Sequence, residues 1–102
     1  MEQMALTETT YYILLSLCRP LHGYGIMQRA AELSGGRVRL AAGTLYGALN
    51  ALVDKGGITL LPGEGRKKEY KLTPKGLEIL KKELARLREL VASGDMVLKE
   101  EA

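Results

Sequence analysis

A basic run at residues 66–71 is the first place where residue types in this sequence could act on a partner. The run reads RKKEYK, with four cations and one anion, and it follows a turn that contains Gly63 and Gly65. Clustered lysine and arginine side chains can neutralise the phosphates of a nucleic acid. A charge run considered alone is more often an ordinary solvated surface. The elements around the run must decide between these two interpretations.

A second candidate surface is a narrow polar stripe in the segment AAGTLYGALNALVDKGG, residues 41–57. Leu45, Leu49 and Leu52 recur at helical spacing and predict a helix with one apolar face. The opposite face carries small or polar residues, with a tyrosine on its flank: Gly43, Thr44, Gly47, Asn50 and Tyr46. Small residues let a helix backbone approach DNA closely, and Asn and Thr can hydrogen-bond to base edges or phosphates.

The sequence offers no grouping that would support catalysis or hold a metal. One histidine, one cysteine and scattered acids do not make up a metal site. No nucleophile stands near a base, so an enzyme is not indicated, and we expect no cofactor. Cys18 lies on the apolar stripe of the first predicted helix, and we expect a buried core residue rather than a redox sensor. His22, at the entry to the second helix, is expected to be structural.

Length and composition indicate one small globular domain. The chain has 102 residues, of which 46% are hydrophobic, and a domain of this size gains stability from oligomerisation. A net charge of +3 is only mildly basic, so the distribution of the charges matters more than their sum. A single cysteine and the absence of a signal-like or membrane-length apolar segment predict a cytoplasmic protein.

Three short helices and a hairpin must position the candidate residues. The first helix begins at an N-cap, Thr7, and ends before Pro20. The segments ITLLP and KEYKL alternate as strands, with Tyr70 and Leu72 expected to face the core. The predicted fold is therefore mostly α with a small β-hairpin, a winged helix-turn-helix followed by a long C-terminal helix.

The C-terminal helix carries a heptad repeat. It begins at the N-cap Thr73, with Pro74 in the first helical position. Apolar residues then recur at spacings of three and four, at Leu77, Leu80, Leu84, Leu87 and Val91. This seam could pack on the protein's own core or on a second subunit. A helix of roughly 27 Å is longer than the small core can cover, so we favour a second subunit. Gly94 is expected to end the helix.

The motifs and their order resemble the PadR family of transcriptional regulators. The resemblance is carried by YYILLSL, PLHGYGI, GTLYGALNAL and RKKEYKLTPKG, and it covers residues 6–91. It implies a homodimeric repressor that binds an inverted-repeat operator in double-stranded DNA, with the third helix in the major groove and the hairpin tip beside it. It also implies a small-molecule effector, which releases many members from DNA. Gly57 departs from the family pattern, where an aromatic or aliphatic residue is usual.

These arguments together give the candidate residues. Contacts with DNA are expected from the second helix, the third helix and the wing: Tyr24, Gln28, Gly43, Thr44, Tyr46, Gly47, Asn50, Arg66, Lys67 and Lys68. Contacts across the dimer are expected from the first and last helices: Tyr11, Leu14, Leu77, Leu80, Leu84, Leu87 and Val91. Residues 1–73 would form the DNA-binding domain, residues 74–94 the dimerisation helix and residues 95–102 a frayed tail. The alternative function is a winged-helix module for protein interaction without specific DNA binding.

Overall fold

A computed structural model describes residues 5–62 and 68–101 of the chain. In order, these residues form α1 (Glu8–Ser16), β1 (Leu21–His22), α2 (Gly23–Leu33), α3 (Ala42–Asp54), β2 (Ile58–Leu60), β3 (Glu69–Leu72) and α4 (Pro74–Glu101). The predicted fold class, mostly helical with a small sheet and a long last helix, is confirmed. None of the helices in this part of the chain combines the length and the hydrophobicity that a membrane span requires.

Two of the helices begin where their sequence signals indicate. The hydroxyl of Thr7 accepts a hydrogen bond from the backbone N–H of Thr10, at 3.1 Å, and caps α1. The hydroxyl of Thr73 accepts one from the N–H of Gly76, at 3.0 Å, directly before α4. A side-chain cap of this kind stabilises a helix by about 1 kcal/mol. Both predicted N-caps are therefore confirmed.

The core lies between α1, α2, α3, the sheet and the first half of α4. Its buried members come from all of these elements: Ile13, Leu14, Leu17, Ile26, Leu45, Leu49, Ile58, Tyr70 and Leu80. The side chains of Leu14 and Leu80 are only 1% and 6% exposed within a single chain. They fill the monomer core and have little surface left for a second subunit, which corrects their assignment to the dimer interface.

Cys18 is exposed, so the prediction that it is a core residue is wrong. The helix α1 ends at Ser16, and Leu17, its C-cap, is the last buried residue of the stripe. Because the backbone leaves helical geometry at Leu17, the spacing that placed Cys18 on the apolar face no longer applies.

The sheet has three antiparallel strands in the order β1-β3-β2, whereas the sequence predicted only the hairpin of β2 and β3. The additional strand β1 pairs Leu21 with Tyr70 and His22 with Glu69. Two residues are too short a segment to carry an alternating pattern, which explains why it was missed. In β3, Tyr70 is buried while Glu69 and Lys71 are exposed, as predicted.

The helix α4 runs for 28 residues to Glu101, so the predicted end at Gly94 and the frayed tail beyond it are wrong through residue 101. A glycine in a helix interior costs about 1 kcal/mol relative to alanine, and good helix formers on both sides can offset that cost. The second half of α4 contributes to a long molecule, whose principal extents are 58 × 32 × 20 Å.

The start of α4 is joined to the end of α3 by close backbone contacts. The carbonyl of Gly57 accepts a hydrogen bond from the N–H of Thr73, at 3.1 Å. The hydroxyl of Thr73 donates to the carbonyl of Gly56, at 2.6 Å. The carbonyl of Gly57 also occupies the space where a side chain at Gly76 would begin. Gly57 is buried and makes these contacts through its backbone.

A buried carboxylate ties α4 to the beginning of the chain. The side chain of Glu83 is 2% exposed and accepts hydrogen bonds from Nε and Nη2 of Arg86, at 2.7 and 2.8 Å. It also accepts one from the backbone N–H of Leu6, at 3.1 Å. The hydrogen bonds from Arg86, more than the opposing effect of burial, hold the pKa of Glu83 below its ordinary value of 4.5.

We expect Gly76→Ala to destabilise the fold by about 1–3 kcal/mol, because the added methyl would overlap the carbonyl of Gly57 and push the backbone apart. Gly57→Ala is the matched control. A methyl at that position meets its nearest neighbours at 3.8–4.0 Å, an ordinary contact distance, so this variant should stay within about 0.5 kcal/mol of the wild type. Urea unfolding measures both. Equal losses for the two variants would contradict the proposed contact.

We expect Glu83→Gln to lower the stability of the protein at pH 7, and we expect the deficit to shrink in acid. Because the pKa of Glu83 is lowered by folding, the ionised carboxylate stabilises the fold above pH 4.5. That contribution is lost as the pH falls below 4.5 and through the folded pKa. Urea midpoints of the wild type and the variant should therefore converge between pH 7 and pH 3. A gap that stayed constant with pH would exclude this linkage.

Candidate nucleic-acid interface

The candidate recognition face lies on α3. The opposite face of this helix packs in the core and holds the helix in place. Leu45 and Leu49 are fully buried in the core. Gly43, Thr44, Gly47 and Asn50 are all exposed. Apart from the neighbouring residues and the backbone of α3 itself, no described atom lies within 4 Å of the position that a methyl group would take at Gly43 or Gly47. The helix therefore presents a thin, polar and open surface, as the spacing of its leucines predicts.

Tyr46, on the flank of this face, joins α3 to α2. Its ring lies so close to Gly23 that a methyl group at that position would overlap the ring, with the Cζ atom only 2.9 Å away. Gly23 is the first residue of α2 and is buried. The Tyr46 side chain remains 46% exposed, so it fixes the approach of the two helices while part of its surface faces solvent.

The exposed side of α2 carries the two polar candidates predicted for it. Tyr24 and Gln28 are both exposed and lie one helical turn apart. The amide Nε2 of Gln28 donates a hydrogen bond to the hydroxyl of Tyr24, at 3.3 Å. The Tyr46 ring lies against Gly23, and Tyr24 is the next residue in the chain. Tyr46 and the Tyr24–Gln28 pair therefore lie in adjacent parts of the helix-turn-helix. The fold thus brings the candidates from α2 and α3 together.

Strand β3 meets the same region through β1, the strand that the sequence did not reveal. Lys68 is exposed and stands directly before β3, whose first residue, Glu69, pairs with His22 of β1. The ring nitrogen Nδ1 of His22 accepts a hydrogen bond from the N–H of Gly25, at 3.3 Å, and caps α2. The structural role predicted for His22 is confirmed. Arg66 and Lys67, also candidates, lie outside the described residues.

Further features of this region were not anticipated from the sequence. Within the described chain, α3 has no side chain capping its N-terminus, where Ala41 is the N-cap, and its first turn is exposed. Arg39 is exposed just before this turn, and among the described residues it forms no ion pair, whereas Arg37 pairs with Glu8 at 3.1 Å. The segment RVRLAAGT carries the signal that could have indicated both features, because two cations precede a helix that lacks a capping residue.

The candidate dimer residues lie on α1 and α4. Apart from the two residues assigned to the core, they retain accessible surface. Tyr11 and Leu87 are half-buried, and Leu77, Leu84 and Val91 are exposed.

Across residues 5–62 and 68–101, no three side chains of the types that ligate metals come together.

Comparison with known proteins places this geometry in a family. Residues 12–82 match the family model of the transcriptional regulator PadR-like family. Over 64 residues the chain is 44% identical to an uncharacterised 37.1 kDa protein in transposon TN4556 of Streptomyces fradiae. The match covers 63% of this chain and only 18% of that relative.

Solved structures of PadR proteins share the fold. A PadR family regulator from Clostridium difficile superposes with a TM-score of 0.76 at 23% identity, covering 90% of this chain and 99% of the other. The PadR of Bacillus subtilis, solved in complex with operator DNA, is 32% identical, with a TM-score of 0.63 over 74% of this chain and 46% of that one. Members of the family are transcriptional regulators and not enzymes. Because the family model matches residues 12–82, and the described helices and sheet have the family's fold, the chain belongs to the transcriptional regulator PadR-like family.

Proposed function

We propose that the protein is a homodimeric repressor that binds an inverted-repeat operator in double-stranded DNA, in the cytoplasm, and that a small ligand releases it. In each subunit α3 lies in the major groove and the basic wing lies against the adjacent backbone. The two half-sites are then about one helical turn, roughly 34 Å, apart. The operator complex of the related Bacillus subtilis protein supports this proposal.

The observation that carries the proposal is the open face of α3. Gly43 and Gly47 leave the helix backbone accessible, because no described atom outside the adjoining backbone of α3 lies within 4 Å of the position of a side chain there. A helix that only packed against protein would gain stability from alanine at these positions. Thr44 and Asn50 stand on the same face and have the donors and acceptors that read base edges. The arrangement is suited to close approach to the bases.

Contacts with the phosphate backbone would flank this face. Tyr24 and Gln28 on α2, Tyr46 on α3 and Lys68 at the root of the wing all offer exposed polar or charged groups. The N–H groups at the uncapped start of α3 and the exposed side chain of Arg39, just before it in the chain, would add to these contacts. Such contacts set the register of the protein on the duplex and contribute affinity without sequence preference. Arg66 and Lys67 are assigned to this role from the sequence.

The release by a ligand is supported by a cleft between α1 and α4. It has a volume of about 360 Å³ and is lined by apolar, aromatic and charged side chains: Leu6, Glu8, Tyr11, Tyr12, Arg37, Glu83, Arg86 and Leu87. Pockets for small molecules combine an apolar lining with a few polar groups in this way. Because the cleft lies beside α4, its occupation could alter the helix proposed to join the subunits.

The proposed function is tested by titrating the protein against DNA from upstream of its own gene, with fluorescence anisotropy as the readout. We expect saturable binding that weakens steeply with salt and a clear preference over a scrambled duplex of the same length. Binding that is absent at low salt would instead support the alternative, a winged-helix module for protein interaction. Light scattering on the same sample should give the mass of a dimer.

We expect Gly47→Ala to separate recognition from stability. The added methyl has room in the free protein and removes the entropic cost of a helical glycine, so the free energy of unfolding should rise by up to about 1 kcal/mol. The same methyl would project toward the groove and weaken operator binding. Urea unfolding and anisotropy measure the two effects. A variant with unchanged affinity would remove this face of α3 from the DNA interface.

Substitutions in the wing and on α3 should have different signatures. Replacing Lys67 and Lys68 with alanine should weaken binding to all sequences and reduce the salt slope by roughly two. Asn50→Ala should instead change which base pairs are preferred, measured by selection from a randomised duplex. An unchanged salt slope would contradict the wing assignment, and an unchanged preference would give Asn50 a positioning role only.

A further inference from the structure

Two residues at the start of α4 bond the backbone that follows α3. Thr73 donates one hydrogen bond to the carbonyl of Gly56 and another to the carbonyl of Gly57. The carbonyl just before them, that of Lys55, accepts a hydrogen bond from the ammonium group of Lys75, at 2.8 Å. Three consecutive carbonyls at the C-terminal end of α3 are therefore bonded from α4.

The contact of Lys75 completes a helix end that the chain cannot complete within α3. Gly56 has a φ of 80°, and the N–H of Gly57 donates to the carbonyl of Leu52, at 3.0 Å, as in a glycine-terminated helix. The carbonyl of Lys55, the C-cap, lies beyond the hydrogen bonds of the helix itself and needs an outside donor. The aliphatic chain of Lys75 also covers Gly56, since a methyl group there would stand 3.7 Å from Cδ of the lysine.

The charge of Lys75 suits α3 better than it suits its own helix. Lys75 is the second residue of α4, whose first turn contains no acidic residue. The positive end of a helix dipole opposes a cation in the first turn, whereas the negative end of a dipole stabilises a cation beside the last turn. The last turn of α3 has no basic residue of its own. Lys75 therefore adds a cation from α4 to the negative end of α3.

We propose that Lys75 is a positioning residue for operator recognition, which acts through α3 and does not itself contact DNA. The inference rests on the proposed function and deepens it. Leu45 and Leu49 hold the middle of α3 in the core, and the bonds from α4 hold its C-terminal end. Within the described chain, the first turn of α3 is exposed and lacks a side-chain cap, so its placement depends on supports further along the helix.

The length of α3 makes this support important for the recognition face. Gly43 lies twelve residues before Lys55, which is roughly 18 Å along the helix axis. A tilt of about 2° at the Lys55 end moves Gly43 by about 0.6 Å, which already exceeds the tolerance of about 0.5 Å for a preorganised site. Hydrogen bonds to base edges require such placement, whereas long flexible side chains can still reach phosphates. Loss of Lys75 should therefore reduce discrimination between sequences more than general affinity for DNA.

Lys75→Met tests the inference, because it removes the ammonium group and keeps most of the aliphatic chain. Lys82→Met is the matched control. Lys82 lies seven residues further along α4, is exposed and forms no ion pair among the described residues, and its loss changes the net charge equally. Thermal unfolding first establishes a temperature at which each variant is folded. Anisotropy then measures binding to the duplex from upstream of the gene and to the scrambled duplex.

We expect Lys75→Met to bind the upstream duplex about three- to fivefold more weakly than Lys82→Met does, and to bind the scrambled duplex equally well. Lys75→Arg should recover the affinity to within about twofold, because a guanidinium group can also donate to the carbonyl of Lys55. Equal binding of the upstream duplex by the two methionine variants would overturn the inference. So would a Lys75→Arg variant as weak as Lys75→Met.

The salt dependence separates positioning from direct contact. If Lys75 bound a phosphate, Lys75→Met would reduce the salt slope by about one. We expect the slopes of Lys75→Met and Lys82→Met to agree. A smaller slope for Lys75→Met alone would overturn the inference and make Lys75 a DNA contact.

Hydrogen exchange on the free protein tests the support of α3 without DNA. In Lys75→Met the amides of Gly56 and Gly57 should exchange about two- to fivefold faster, because the end of α3 opens more often. The same amides in Lys82→Met should not change. Unchanged exchange in Lys75→Met would overturn the inference and leave the proposed function intact. A wild-type protein that bound the upstream and scrambled duplexes equally would refute both.

Discussion

The fold depends on one backbone contact, where the carbonyl of Gly57 meets Gly76. A side chain at Gly76 would prevent this approach, and the hydroxyl of Thr73 secures it by bonding both to Gly56 and to the first turn of α4. The contact joins the turn after α3 to the start of α4. It therefore fixes the direction of the long helix relative to the helix proposed to read DNA. Because backbone atoms make the contact, its geometry is set more tightly than that of a side-chain packing surface.

Local signals in the sequence predict much of this architecture. The N-caps of α1 and α4 are short-range motifs, and the two faces of α3 follow from the spacing of Leu45 and Leu49. The failures have different physical causes. The pairing of β1 with β3 joins residues almost fifty positions apart, and two residues give no periodic signal. Gly94 predicts a helix end, but the cost of one glycine is small beside the favourable propensity of its neighbours, and α4 continues to Glu101.

In the candidate site, too, local sequence patterns predict the exposed residues, while contacts between distant residues could not be predicted. The composition of one helix face was enough to predict the exposed residues of α3. The contact of Tyr46 with Gly23 could not be predicted, because it depends on how two helices cross. The link between β3 and α2 runs through β1, so the sequence did not reveal it either. The sequence also could not show which leucines of the heptad seam pack inside the monomer. In the structure, Leu80 is buried in the core while Leu84 is exposed.

The open face of α3 has a consequence for how such proteins diverge. A side chain added at Gly43 or Gly47 would meet no described atom outside the adjoining backbone of α3, and Thr44 and Asn50 are exposed, so the fold places few demands on any of the four. The residues that hold α3 in position, Leu45 and Leu49, are on the opposite side. Sequence drift on the exposed face would therefore carry little penalty in folding. Duplicated copies of such a gene could acquire separate regulatory targets while they keep one shared core.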